Sequence, residues 1–261
     1  MSRTWHLTDV ELIAAWDSLF KDRLPPPLFA LYRGEDADGW QRLAVAALDV
    51  LAETDDGALY AALNRVANAD VVVTAEAFDP RDAGDPLRRV RVIAARQGEG
   101  ATLIQQLPGE TIWHSGGFTV SSGSGARLAG AVVGALPFCA AGHGPRLVLS
   151  TAGRAYGTDS RCRASRVYDN ELDGERASAT WLSQPVECLG MIETRLGASI
   201  FGPRGVRPYR IDWRDLVGDG RYAILTDDEQ IATPVDRAHL AELIGADIAT
   251  VDQTLEDERY V

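Results

Sequence analysis

Cys139 and His143 stand four residues apart, the spacing at which two ligands on one helix turn could share a divalent metal. A tetrahedral site needs a second pair. Cys162, Cys188, His6, His114 and His239 are scattered singly along the chain and supply none. Pro137 and Gly142 also argue against a helix at this point. The spacing is therefore read as chance, and no metal is expected. His143 itself lies in Gly142-His143-Gly144, a loop setting from which an imidazole could serve as a general base. A solvated turn is the favoured reading. Gly123-Ser124-Gly125 sits between a strand pattern and a helix pattern and resembles the start of a dinucleotide loop. The third glycine fails, because Leu128 stands in its place and Gly130 comes too late. There is no P-loop, no GxSxG and no HExxH. Asp55-Asp56 and Asp227-Asp228-Glu229 flank turns, where carboxylates are solvated rather than paired for acid–base work. Arg154, Arg161, Arg163 and Arg166 could form a local basic patch, although a solvated loop accounts for them as simply. No catalytic residue and no cofactor are expected from these patterns.

The elements that would position any site fall into two runs of similar grammar. Thr8 with Glu11 makes a capping box ahead of the helix-spaced Ile13, Trp16 and Phe20, and Pro25-Pro26-Pro27 ends that helix. Two further amphipathic segments carry Trp40, Leu43, Ala44, Leu48 and Leu51, then Leu59, Ala62, Leu63 and Val66. From Val71 the texture turns to strand: 71–78, 87–95, 101–107 and 111–120, followed by a helix with Leu128, Val132 and Leu136 on one face. After a Gly-, Ser- and Arg-rich stretch, a weakly periodic helix is expected over 169–182. Strands follow at 190–200, 207–214 and 221–226, with a short one at 230–232. Thr233-Pro234 then reads as the start of a helix striped by Leu240, Ile244, Val251 and Leu255. Strand, hairpin, strand, helix thus occurs twice. It predicts an α+β fold of two similar antiparallel-sheet subdomains with attached helices. The boundaries are 1–150 and 169–261, with a linker over 151–168. Trp40 and Trp213 are expected in the core.

The chain has 261 residues, a net charge of -12 and one lysine, Lys21. A surface this acidic repels phosphate backbones and anionic lipid heads, so neither nucleic acid nor membrane is an expected partner. Three unpaired cysteines suggest a reducing compartment. The opening residues carry no apolar signal segment, and a cytoplasmic protein is expected. One apolar feature stands out: Ile200-Phe201 enters the Gly- and Pro-rich tip 202–205, where large apolar groups need a cover.

Several phrases resemble the EspG family of ESX (type VII) secretion. They are Trp5-His6-Leu7-Thr8 before a helix; Arg88-Arg89-Val90-Arg91-Val92; and Phe118-Thr119-Val120 leading to a small-residue helix ending at Leu136-Pro137. The most specific is Arg207-Pro208-Tyr209-Arg210-Ile211-Asp212-Trp213, then Asp219-Gly220-Arg221-Tyr222, then Ile231-Ala232-Thr233-Pro234-Val235-Asp236. The resemblance implies a pseudo-two-fold α+β fold. It also implies a cytoplasmic chaperone that covers the apolar helical tip of a PE–PPE heterodimer, or of another helical ESX substrate. It places the partner surface on the helix 169–182, with Trp181, and on the strands at 190–214, so Trp181, Ile200, Phe201 and Tyr209 are the expected contacts. Two other readings stay open: an enzyme with a His or carboxylate site between the halves, and an oligomeric scaffold, a homodimer being its simplest form.

Overall fold

The computed structural model of the chain describes residues 3–31, 36–54, 57–150, 166–202, 205–226 and 229–260. In chain order the elements are β1 (Arg3–Leu7), α1 (Asp9–Phe20), α2 (Ala37–Thr54), α3 (Ala58–Ala67), β2 (Val71–Phe78), β3 (Val90–Gln97), β4 (Gly100–Pro108), β5 (Ser115–Ser124) and α4 (Leu128–Ala135). There follow β6 (Leu147–Leu149), α5 (Arg166–Leu182), β7 (Val186–Leu196), β8 (Tyr209–Leu216), β9 (Arg221–Thr226), β10 (Gln230–Pro234) and α6 (Arg237–Arg259).

The strands form one sheet in the order β1-β5-β4-β3-β2-β7-β8-β9-β10-β6. Every named pairing is antiparallel. Where two separate subdomain sheets were expected, a single sheet runs through. The cause is local. β2 pairs with β7 at every position from Val71↔Leu196 to Phe78↔Leu189, so both ladders are satisfied and no edge is left between the halves.

Alternation decides which face each side chain serves. Val71, Val73, Ala75 and Ala77 of β2 join Val92, Ala94, Ile192, Ile211 and Trp213 in a core beneath α4 and α6. The apolar stripe of α6 lies in it, with Leu240, Ile244 and Val251 buried. Trp213 is fully buried, and its indole lies over Gly190, its partner across the β7–β8 ladder. A Cβ at Gly190 would come within 2.2 Å of that ring. Gly190→Ala should therefore cost about 1–3 kcal/mol. Urea denaturation checks this, and an unchanged midpoint would contradict the packing.

On the opposite face α1–α3 cover the N-terminal strands through Leu12, Leu59, Leu63, Ile104 and Phe118. The capping box starts α1 as expected: the Glu11 N–H donates to Thr8 Oγ1 and the Thr8 N–H to Glu11 Oε2 at 2.7 Å. α5 packs on the C-terminal strands through Trp181, beside Leu149, Leu216 and Tyr222.

Some boundaries differ from expectation. Trp40 is only partly buried, because α2 rests chiefly on α1. Thr233-Pro234 stays in β10, and Asp236 caps α6 by accepting from the His239 N–H. β7 starts at Val186, four residues before the expected strand, and ends at Leu196. α5 begins at Arg166, inside the stretch expected to be linker. Asp55, Asp56, Arg154, Arg161, Cys162, Arg163, Pro203, Arg204, Asp227 and Asp228 lie outside the described residues, as does 151–165 of that stretch.

Candidate functional site

α4 and α6 close one face of the central strands. Among the described residues the opposite face is open, since α1–α3 stop on one side of it and α5 on the other. The strip of β3, β2, β7 and β8 left between them is about 15 Å wide at the usual strand spacing. A helix is about 10–12 Å across, so one helix end or a tight helical turn fits. Two hollows border this strip, about 590 Å³ beside the 22–31 segment and about 460 Å³ over β2, β7 and β8, with Glu76 on the wall of both. The floor is largely apolar, with Leu189 and Met191 of β7, Phe78 of β2 and Ile224 of β9.

The rim on the α1 side is aromatic. Phe29 and Trp113 meet edge to face with ring centroids 5.8 Å apart, and Trp113 is 56% exposed. Gln106 of β4, itself buried, fixes this rim. Its side chain accepts from the Phe29 N–H at 2.8 Å and donates to the Phe29 carbonyl at 2.6 Å. Leu31 is tied in by its N–H to the Trp113 carbonyl and is also exposed. The expected contacts omitted all three residues, because Pro25-Pro26-Pro27 reads only as a helix stop.

Three arginines border the trough, each laid over a ring: Arg89 over Phe78 at 5.5 Å, Arg91 over Phe29 at 5.8 Å and Arg214 over Trp181 at 5.4 Å. Burial pushes the Arg91 guanidinium below its ordinary pKa, with the like charge of Arg89 adding to it and Glu76 opposing. Burial does the same to Arg214 against the attraction of Asp212. Beyond the end of β2, Asp79 is held down to about 2, first by the guanidinium hydrogen bonds of Arg81 and then by the Arg81 N–H. A depressed carboxylate stabilises the fold above the ordinary value of 3.8 and loses that contribution as pH falls toward about 2. Asp79→Asn should flatten the denaturation midpoint over that window, measured by urea titration at stepped pH. An equally steep acid loss in the variant would assign it to other groups.

The phrase Asp219-Gly220-Arg221-Tyr222 is a clamp. Arg221 and Asp215 form a buried bidentate pair, Nε to Oδ1 at 2.7 Å and the terminal nitrogen to Oδ2 at 2.8 Å. Arg221 also donates to the Pro137 carbonyl at 3.0 Å. Burial opposes its charge, but the bonds to Asp215 win and its pKa is raised. The Tyr222 hydroxyl donates to Asp219 and accepts from the Gly144 N–H. The ring leaves no room for a Cβ at Gly142, which would come within 2.1 Å. Gly220 similarly abuts the Ala141 backbone. These four residues bolt the segment after α4 to the C-terminal strands.

His143 belongs to that clamp. Its N–H donates to Asp219 Oδ1 at 2.7 Å, and its Nδ1 lies 3.0 Å from the same oxygen. Burial works against the Asp219 carboxylate, but the His143 and Tyr222 donors outweigh it and lower its pKa. The His143 side chain is 82% exposed. Among the described residues no hydroxyl or thiol is bonded to its second nitrogen, and no group of three His, Cys, Asp or Glu is placed to share a metal. Cys139 and Cys188 are free, with burial pushing their thiols up to about 11 and about 12. No described helix is long and apolar enough to cross a membrane.

The four expected contact residues do not share one face of the sheet. Trp181 is 7% exposed and packs edge to face on Tyr222. Ile200 and Phe201 are exposed beyond the far end of β7, where the Ile200 N–H and Ser199 hydroxyl bond Glu258 of α6. By alternation Tyr209 shares the α6 face with Ile211 and Trp213, away from the trough.

No curated protein matches the chain in sequence. Its fold is that of the type VII secretion system chaperone EspG5 of Mycobacterium tuberculosis, solved in complex with the PE25–PPE41 dimer. The two share 12% identity and a TM-score of 0.54, over 99% of this chain and 96% of that one. The sequence model of the EspG family matches residues 8–246. The chain belongs to the EspG family.

Proposed function

We propose that this protein is a type VII secretion chaperone that seats the apolar tip of a helical substrate in the central trough. The carrying observation is the asymmetry of the sheet. The same strands are sealed by α4 and α6 on one face and, among the described residues, left open on the other, with an apolar floor and an exposed aromatic rim. Holding an apolar helix end out of water needs shape and greasy surface, not a reacting group. The solved EspG5 complex contains a PE–PPE dimer, so a PE–PPE pair is the client to test first. Such a chaperone would act in the cytoplasm before export.

The strand order supports a reading as two similar halves, except that β6, inside the expected 1–150 unit, lies on the C-terminal side through its pairing with β10 of the expected 169–261 unit. Outward from the β2–β7 junction the order is β3, β4, β5, β1 on one side and β8, β9, β10, β6 on the other. A helix follows the fourth hairpin strand in each half, α4 after β5 and α6 after β10. In this reading Trp181 serves the client surface indirectly, by holding Arg214. Ile200, Phe201 and Tyr209 form a second contact near the C-terminal end of α6.

Co-expression with a PE–PPE pair encoded beside its own gene, followed by size exclusion, tests the function. A single peak holding all three chains is expected. A PE–PPE pair that stays soluble and separate in the presence of the protein would contradict it.

A further inference from the structure

In a chain of net charge -12, a trough bordered by arginines is out of character. The buried Arg221 has Asp215 and the half-buried Arg96 has Asp252, and the exposed Arg81 and Arg210 have Asp79 and Asp212. Arg89, Arg91 and Arg214 have none within salt-bridge distance among the described residues. Of the carboxylates on this face of the strip, Asp212 is taken by Arg210, Glu193 lies opposite Arg210, and Glu76 attracts Arg91 only from farther away.

Each of the three is nonetheless held in place. Besides its ring, each donates to one backbone carbonyl: Arg89 to Ala83 at 3.1 Å, Arg91 to Phe29 at 3.4 Å and Arg214 to Leu182 at 3.3 Å. A guanidinium carries five donors, so most remain unused. The Nε atoms of Arg89 and Arg214 are buried without any partner. Planar forks fixed on rings, partly desolvated and under-bonded, are ready-made receptors for carboxylates.

Resting on the trough as the client site, we infer that the segment seated there is a helical tip with an apolar centre and an acidic rim. Its apolar side chains meet Leu189, Met191 and Ile224, and its flanking carboxylates pair with Arg89, Arg91 and Arg214. The protein's overall negative charge repels such a client at a distance. At physiological salt that repulsion is screened beyond about 8 Å, while pairs formed at contact are screened far less. The arginines should therefore slow dissociation rather than speed association.

Three synthetic helical hairpins test this, sharing one Leu- and Phe-rich tip and differing only in glutamate, glutamine or lysine flanks. Titration calorimetry against the wild-type chain at 0.15 M salt should rank them in that order. The glutamate hairpin should bind about tenfold tighter than the glutamine one, or about 1.4 kcal/mol. Arg91→Gln and Arg214→Gln should each shrink that ratio, with thermal melts checking the fold. Equal affinity for all three flanks overturns the acidic rim and leaves the apolar-tip reading standing. No binding of any hairpin sinks both. Light scattering that shows a dimer excluding all three hairpins assigns the trough to a second copy of the chain and overturns the inference as well.

Discussion

Asp215→Ala should destabilise the protein by about 3–5 kcal/mol, a large share of the roughly 5–15 kcal/mol that holds a domain folded. Asp215 and Arg221 are both almost fully buried, and the pair is bidentate. Removing the carboxylate strands a guanidinium that retains only the Pro137 carbonyl and the face of Trp213. The loss comes from the orphaned charge rather than from the pair's own worth, so the cycle is informative. Replacing both partners with apolar residues of similar size, Asp215→Leu with Arg221→Met, should recover much of the deficit. Denaturant unfolding of the two variants measures it. A single variant within 1 kcal/mol of wild type, on the order of an ordinary surface substitution, would mean that water reaches the site.

Trp113→Ala should weaken client binding by about 2–4 kcal/mol, roughly 30- to 1,000-fold, and leave stability nearly unchanged. Its indole is largely exposed and rests on Phe29 rather than in a core. The local backbone is held by the Thr111 hydroxyl and by Leu31, neither of which needs the ring. Calorimetry with the purified PE–PPE client gives the affinity, and a thermal melt gives the fold. Equal affinity in the variant would move the contact off this rim.

Local rules made much of the fold legible. The Thr8–Glu11 box and the α6 stripe each rest on residues a few positions apart, and each stands in the structure. What escaped was long-range. The β2–β7 junction joins strands more than a hundred residues apart, and no local pattern names a strand's partner. β6 is only three residues long, too short to show alternation. The trough rim depends on Gln106 reaching back 77 positions to Phe29. The burial of Asp215 and Arg221 depends on the distant segment that begins at Pro137, whose carbonyl Arg221 bonds. The family resemblance puts Trp181 on the partner surface, whereas packing against the Tyr222 ring buries it.

Carbene footprinting of the purified chaperone–client complex, read residue by residue, tests the central claim most directly. Labelling of Phe29, Trp113 and Met191 should fall sharply on complex formation, while the exposed side chains of α2 keep theirs. Unchanged labelling in the trough, with protection confined to other surfaces, would contradict the account.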